Sequence, residues 1–183
     1  NVGFQGETAH AGPWPMARRR NALLAAARLL VAVDEIGWTF AESNGKATAA
    51  RLVAWPNKVG IVSDWAEASC DVRHADQRTL QIMRERLERS VDEAAARADC
   101  KAKINDQWNY GGDIFCRELI DLVARTAANL SYSSLKLPSQ AGHDAYFMAR
   151  ICPTAMIFTP CQGGITHNNK EWVEPEDMEP GLN

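Results

Sequence analysis

The spacing of apolar residues in the early part of the chain predicts a strand followed by a helix. Val2 and Phe4 alternate with small or polar residues, the period of two that is typical of a half-buried strand. Apolar residues then recur at helical spacing over residues 16–36, with Pro15 near the start and Gly37 just past the end. The chain therefore begins with one βα unit.

Three more strands and a second helix are predicted next. Residues 46–62 and 65–72 are rich in small and β-branched residues and predict two successive strands. Asp76 is a candidate helix N-cap, and an apolar stripe with arginines and glutamates on the other faces follows over residues 80–98. A last strand is predicted within residues 101–108. The order βαββαβ indicates an α/β domain, a four-stranded sheet covered by two helices.

The rest of the chain has a different character. Helices are predicted at residues 117–130 and 145–151, and a brief apolar strand at residues 154–158. Glycines and prolines punctuate this stretch, and binding and catalytic groups tend to occupy such loops. Gly111 and Gly112 form a candidate hinge between the two parts.

Composition and charge narrow the possible partners. The 20 Lys plus Arg and 23 Asp plus Glu give a net charge of −3, which argues against nucleic acid or an anionic membrane as partner. No apolar run reaches the ~18–20 residues of a membrane span. The five cysteines have no CxxC spacing, which disfavours a disulfide framework and a structural zinc site. These features, with no recognisable secretory signal, predict a cytoplasmic protein.

Histidines are the first candidates for chemistry. Three of the four lie beside glycines or in turn-like contexts: His10, His143 and His167. Imidazole is a common ligand of catalytic metals and titrates near neutral pH, so these side chains are candidate ligands or acid–base groups. Residue type alone also allows surface or capping histidines. His74 follows a predicted strand and precedes a helix, which favours a structural role.

Two groups of arginines have competing interpretations. Arg73 could bind a carboxylate through its planar fork of N–H groups, or it could be a solvated arginine at a strand end. The three arginines at residues 18–20 fall inside the first predicted helix, whose far end carries Asp34 and Glu35. A solvated helix face is therefore favoured over a basic binding patch.

Five short stretches, taken in order along the chain, carry a resemblance to a known family. They are residues 6–16 (GETAHAGPWPM), 70–74 (CDVRH), 141–145 (AGHDA) with 153–158 (PTAMIF), and 164–168 (GITHN). Together they resemble the amidohydrolase branch of the M20 metallopeptidase family, which contains N-carbamoyl-L-amino-acid hydrolases, allantoate amidohydrolases and β-ureidopropionases.

The resemblance implies an architecture and a cofactor. Residues 1–112 would be a ferredoxin-like βαββαβ lid domain that also forms the homodimer. Residues 113–183 would be the C-terminal part of an α/β metal-dependent hydrolase domain. The complete enzyme of this type holds two divalent metal ions, Zn or Mn, and only one ligand is expected here. The chain is thus expected to be a fragment that is inactive on its own.

The resemblance also implies roles for five residues. His10 corresponds to a catalytic histidine that stabilises the tetrahedral oxyanion in the partner subunit's site, and Arg73 to the arginine that binds the substrate carboxylate. Gly142 and His143 would line the substrate pocket. His167 corresponds to the last metal ligand.

The sequence departs from the family pattern at one position, and more than one function is compatible with the resemblance. Gly60 stands where the family usually has a substrate-binding Asn. The favoured function is a hydrolase of linear amides that cleaves the carbamoyl or ureido C–N bond of a small molecule, an N-carbamoyl-L-amino acid or a ureide such as allantoate. The alternatives are a non-catalytic dimerisation module derived from the lid and a dipeptidase-like M20 relative.

Overall fold

The computed structural model describes residues 1–109 and 115–183, in two compact units, Asn1–Asn109 and Tyr110–Asn183. The predicted hinge at Gly111 and Gly112, and the predicted boundary after residue 112, lie outside the described residues.

The elements of the first unit are β1 (Val2–Gln5), β2 (Ala9–His10), α1 (Ala22–Thr39), β3 (Lys46–Trp55), β4 (Ile61–Val62), β5 (Trp65–Arg73), α2 (Gln77–Arg97) and β6 (Lys101–Ile104). Its main sheet has four antiparallel strands in the order β3-β5-β1-β6, which confirms the predicted βαββαβ pattern for this sheet. The prediction of one strand over residues 46–62 is wrong in its extent: β3 ends before Pro56, and β4 pairs with β2 in a separate two-stranded sheet.

Both helices pack on one face of the main sheet. Phe4 from β1 and Leu29 and Val33 from α1 are among the largest fully buried side chains of the unit, together with Met83 from α2. Alternate residues of β5 point into this core, where Ala66 is fully buried. The intervening residues of β5 lie on the opposite face of the sheet. They are mostly polar, and the last of them is Arg73.

The first helix begins later and ends later than the pattern predicts. Met16–Arg18 forms a 3-10 turn, and α1 starts only at Ala22, because the Asn21 side chain caps it by accepting the Leu24 N–H at 3.3 Å. It continues through Gly37 to Thr39. The three arginines at residues 18–20 thus precede the helix, and their assignment to a solvated helix face is wrong.

The second unit is mainly helix and loop. Its helices are α3 (Arg117–Asn129), α4 (Ala145–Ala149) and α5 (Pro175–Leu182), with a 3-10 turn at Gln162–Gly164. The strand predicted at residues 154–158 is wrong: the segment is irregular, and with the described residues its backbone forms a hydrogen bond from the Cys116 N–H to the Thr154 carbonyl at 2.8 Å. A strand needs a neighbouring strand, and the described residues of this unit contain none.

In the described parts of the chain, no helix combines the length and the apolar character that crossing a bilayer requires.

The N-cap of α2 leads to the first testable prediction. Asp76 accepts the Thr79 N–H and hydroxyl, both at 2.8 Å, and these hydrogen bonds lower the pKa of its carboxyl. A carboxyl whose pKa is lower in the folded state stabilises the fold above its unfolded pKa of about 3.9, and this contribution is lost as the pH falls through the folded value. Asp76→Ala should therefore lower the Tm by a few degrees at neutral pH and by progressively less in acid.

The control for this prediction lies on the same helix. Asp92 lies away from the ends of α2 and its side chain is exposed, so Asp92→Ala should leave the Tm nearly unchanged. Asp76→Asn keeps a cap acceptor and should retain most of the neutral-pH stability. Thermal melts from neutral to acidic pH measure these differences, and a constant loss for Asp76→Ala at every pH would contradict the assigned linkage.

Candidate functional site

His10 lies at the end of β2, where the second small sheet meets a tight loop. It pairs with Ile61 of β4, and its side chain is exposed. The ring nitrogen Nδ1 accepts the backbone N–H of Gly12 at 3.0 Å. A nitrogen that accepts cannot carry the proton, so in the neutral ring the proton is on Nε2. His10 thus presents an N–H donor to solvent.

The loop that follows His10 is tied to β4 and to itself. The Ala11 N–H donates to the Gly60 carbonyl at 2.7 Å, and the Trp14 N–H donates to the His10 carbonyl at 3.3 Å. Gly60 has φ +83°, the left-handed region that glycine enters without strain. Gly60 therefore contributes a backbone carbonyl that holds the His10 loop, defined here as residues 10–14.

Arg73 lies at the end of β5 on the polar face of the sheet. Its Nε donates to Oδ1 of Asp71 and its Nη2 to Oδ2, both at 2.7 Å, in a two-point contact between residues on the same face of the strand. Both side chains are about half exposed. The guanidinium therefore already forms, with Asp71, the kind of contact it is predicted to form with a substrate carboxylate.

His74 has the structural role that its position favours. Its Nε2 lies 2.8 Å from the Ser43 carbonyl, and its Nδ1 accepts the Asp76 N–H at 2.9 Å. The ring thus joins the turn before β3 to the start of α2.

His143 is half-buried in the second unit. Its Nε2 lies 2.7 Å from the Ser139 hydroxyl, and its ring contacts Tyr146 and Phe158, with centroids 5.9 and 5.5 Å away. Gly142 directly precedes it and is exposed. The serine and the aromatic neighbours were not predicted from sequence, and they hold the imidazole beside the start of α4.

His167 lies on the surface of the second unit in a loop rather than after a strand. Its backbone is left-handed, with φ +56°, and its N–H donates to Oε2 of Glu171 at 2.9 Å. No strand forms between residues 115 and 183, so the loop around His167 does not extend from a sheet edge within this unit. The side chain is exposed.

The described residues do not by themselves fit a metal ion. A catalytic zinc site uses about three protein ligands. Among residues 1–109 and 115–183, no group of three or more His, Cys, Asp or Glu side chains has the required arrangement. A site that includes His167 would therefore need ligands beyond those that the described residues bring together.

Two cysteines are unsuited to nucleophilic chemistry. Burial raises the pKa of the Cys70 and Cys100 thiols. The reactive form of cysteine is the thiolate, so both side chains are protonated at neutral pH and act as small core residues. Cys70 belongs to the CDVRH stretch and packs against the core cluster.

The five predicted site residues divide between the two units. His10 and Arg73 belong to the first unit, whereas Gly142, His143 and His167 belong to the second. Sequence reasoning missed Gly12 as the partner of His10 and Asp71 as the partner of Arg73. The second pair had a signal, since residues i and i+2 of a strand share a face.

Comparison with known proteins gives consistent matches along the chain. The family model for peptidase family M20/M25/M40 matches residues 7–183. The N-carbamoyl-L-amino-acid amidohydrolase of Rhizobium meliloti is 32% identical over 171 residues, 93% of this chain and 41% of that protein. The ureidoglycolate hydrolase of Arabidopsis thaliana is 30% identical over 182 residues, 99% of this chain and 38% of that protein.

Solved structures agree. A crystal structure of an amidase of the hydantoinase/carbamoylase family from Burkholderia vietnamiensis superposes with a TM-score of 0.93 at 35% identity, covering 98% of this chain and 43% of that one. The chain spans about two fifths of the length of the relatives it matches. The family model covers nearly every residue, and the resemblance of the sequence motifs is confirmed. This chain belongs to the M20/M25/M40 peptidase family.

Proposed function

We propose that the chain is part of a longer, metal-dependent hydrolase of linear amides, called the longer enzyme below. It cleaves the carbamoyl or ureido C–N bond of N-carbamoyl-L-amino acids or of ureides such as allantoate. The observation that carries the proposal is the similarity of nearly the whole chain to an N-carbamoyl-L-amino-acid amidohydrolase and a ureidoglycolate hydrolase.

His10 is the catalytic residue that this chain supplies. Attack of water on a carbamoyl carbon places negative charge on the carbonyl oxygen, and a fixed N–H donor stabilises that charge. The Nε2–H of His10 is such a donor, since the Gly12 N–H occupies Nδ1. The first unit, as a lid domain, would present it to the active site of a second copy in a homodimer.

Arg73, Gly142 and His143 are the substrate-binding residues of the proposal. A substrate carboxylate competes with Asp71 for the guanidinium or shares it, since two points of the fork are already engaged. The backbone at Gly142 is open to solvent, and His143 is held in place by Ser139. These groups bind and orient the substrate rather than move protons.

The metal ions need ligands beyond those described. His167 is the single ligand that we assign to this chain, and an exposed lone imidazole does not fit a complete site. It follows that the chain alone should not hydrolyse carbamoyl amino acids or ureides when Zn or Mn is added.

The test is a substrate comparison with the longer enzyme. After removal of metals by chelation and return of Mn or Zn, it should release ammonia from an N-carbamoyl-L-amino acid or from allantoate and leave dipeptides intact. Cleavage of dipeptides alone would instead indicate a dipeptidase. A folded longer protein with no hydrolysis of any of them would reject the enzyme and favour a dimerisation module.

The role of Arg73 predicts a defect in binding. Arg73→Lys should raise KM by about tenfold or more with kcat changing less, because a point charge cannot reproduce a two-point contact with a carboxylate. Steady-state kinetics on an N-carbamoyl-L-amino acid measure both constants.

The control for Arg73 lies on a neighbouring strand. Arg51 forms an ion pair with Glu67 at 3.1 Å, and Arg51→Lys should leave KM unaltered. An unchanged KM for Arg73→Lys, or equal increases for both variants, would count against carboxylate binding by Arg73.

A further inference from the structure

We propose that Arg19 and Gly12 are positioning residues for His10, which they hold as an outward Nε2–H donor at a fixed place on the first unit. The inference rests on the proposed function of His10 and adds two residues to it. Neither residue touches the substrate in this proposal, and both act through the imidazole.

Gly12 fixes which nitrogen of the ring carries the proton. Its N–H donates to Nδ1 of His10 at 3.0 Å, which leaves the proton on Nε2. A Cβ added to Gly12 would lie 3.2 Å from Cε1 and 3.3 Å from Nδ1 of the ring. These distances are shorter than ordinary van der Waals contacts, so a larger residue would displace the ring by a few tenths of an ångström. Glycine therefore allows the N–H to approach the ring closely.

Arg19 closes the His10 loop from the opposite side. Its Nε and Nη2 both donate to the Trp14 carbonyl, at 3.1 and 2.9 Å, and Nη2 also donates to the Ala11 carbonyl. The guanidinium thus bridges the first and last carbonyls of the four residues that begin at Ala11, with Gly12 between them. A lysine ammonium at the same position could not reproduce this planar bridge.

Two further hydrogen bonds restrain the His10 loop in addition to those from Arg19. The Ala11 N–H is bonded to Gly60, and the Trp14 indole N–H donates to the Arg18 carbonyl at 3.1 Å. Arg19 itself is half-buried, whereas its neighbour Arg18 is exposed. The half-buried guanidinium of Arg19 therefore contacts the loop that carries His10, which distinguishes this arginine from its exposed neighbour.

Kinetics of the longer enzyme provide the first arm of the test. Arg19→Lys and Gly12→Ala should each lower kcat by about 10- to 100-fold, since a displacement of about 1 Å in a catalytic group can cost 10²-fold, with KM within about twofold. Arg18→Lys is the matched control and should keep the wild-type kcat. Unchanged kcat for both Arg19→Lys and Gly12→Ala would overturn the proposal.

A double-mutant cycle separates positioning from general stabilisation. If Arg19 acts through His10, adding Arg19→Lys to His10→Ala should lower kcat no further. The same fold loss in both backgrounds would show an independent structural effect and overturn the proposal. Thermal melts identify any variant whose loss comes from unfolding.

Nitrogen NMR tests the positioning without any activity. With ¹⁵N-labelled histidine in alkaline buffer, wild-type His10 should show an unprotonated Nδ1 and a protonated Nε2, assigned by the signals lost in His10→Gln. Arg19→Lys and Gly12→Ala should move both signals toward averaged values, and Arg18→Lys should not.

The two failures are distinguishable. A proton on Nδ1 of wild-type His10, or signals unaltered in Arg19→Lys, would overturn the positioning. A normal kcat in His10→Ala with the expected nitrogen signals would instead overturn the proposed catalytic role and leave the positioning supported.

Discussion

His10→Ala should lower the kcat of the longer enzyme by about 10²–10³-fold, the loss measured when one oxyanion donor is removed from a hydrolase. The charge that the Nε2–H stabilises develops only as water adds to the carbamoyl carbon. In the ground state the carbamoyl oxygen does not yet carry that charge, so substrate binding uses the same group much less and KM should change by less than kcat. Initial rates over a range of substrate concentrations give both constants.

Two variants sharpen this result. His10→Gln keeps an N–H donor of similar reach and should recover part of the lost rate. Lys58 is exposed in the turn before β4, and Lys58→Ala should have the wild-type kcat. A kcat for His10→Ala within a factor of two of wild type, in a protein that is folded and loaded with metal, would rule out the oxyanion role.

The elements of the first unit were accessible from sequence because they depend on local periodicity. Alternation around Phe4 and the apolar stripe of α2 arise from the fixed repeats of strand and helix. The start of α1 depends instead on one side chain, Asn21, which competes with a run of good helix formers before it. The strand order in the sheet comes from pairing between distant residues, and periodicity contains no information on it.

The strand predicted at residues 154–158 failed for a related reason. Its apolar run satisfies the pattern of a buried strand, but Ile157 and Phe158 are about half exposed, and no described segment of that unit pairs with them. An extended segment without a neighbouring strand cannot form the ladder of backbone hydrogen bonds that defines a sheet. A sequence pattern predicts the capacity to form a strand and not the presence of the neighbour.

Candidate site residues can be predicted from sequence where the side-chain chemistry is distinctive. Contacts made by backbone N–H and carbonyl groups cannot be predicted in this way. His10 and Arg73 are candidates from the sequence because imidazole and guanidinium groups in a family motif indicate particular chemistry. The hydrogen-bond partner of His10 is the Gly12 N–H. Arg19 contacts the same loop through two backbone carbonyls, those of Ala11 and Trp14. Almost any residue can supply such groups, so only the folded loop shows which ones surround the imidazole.

The largest expected effect on stability comes from the core of the first unit. Phe4 is 1% exposed on β1, the strand between β5 and β6, and it packs against α1 and α2 in the main core cluster. Phe4→Ala should lower the free energy of unfolding by about 3–5 kcal/mol, from lost burial together with the cavity left behind. That is a large fraction of the ~5–15 kcal/mol that stabilises a typical domain.

The matched control is an aromatic residue of the same unit that is not buried. Trp38 on α1 is 75% exposed, and Trp38→Ala should alter the free energy of unfolding by no more than about 0.5 kcal/mol. Urea unfolding followed by far-UV circular dichroism measures both variants with a signal that does not depend on tryptophan fluorescence. Because the defect in Phe4→Ala lies in packing, the midpoint should fall while the slope m is retained. Equal midpoint shifts for the two variants would mean that the core does not lie between this sheet and its two helices.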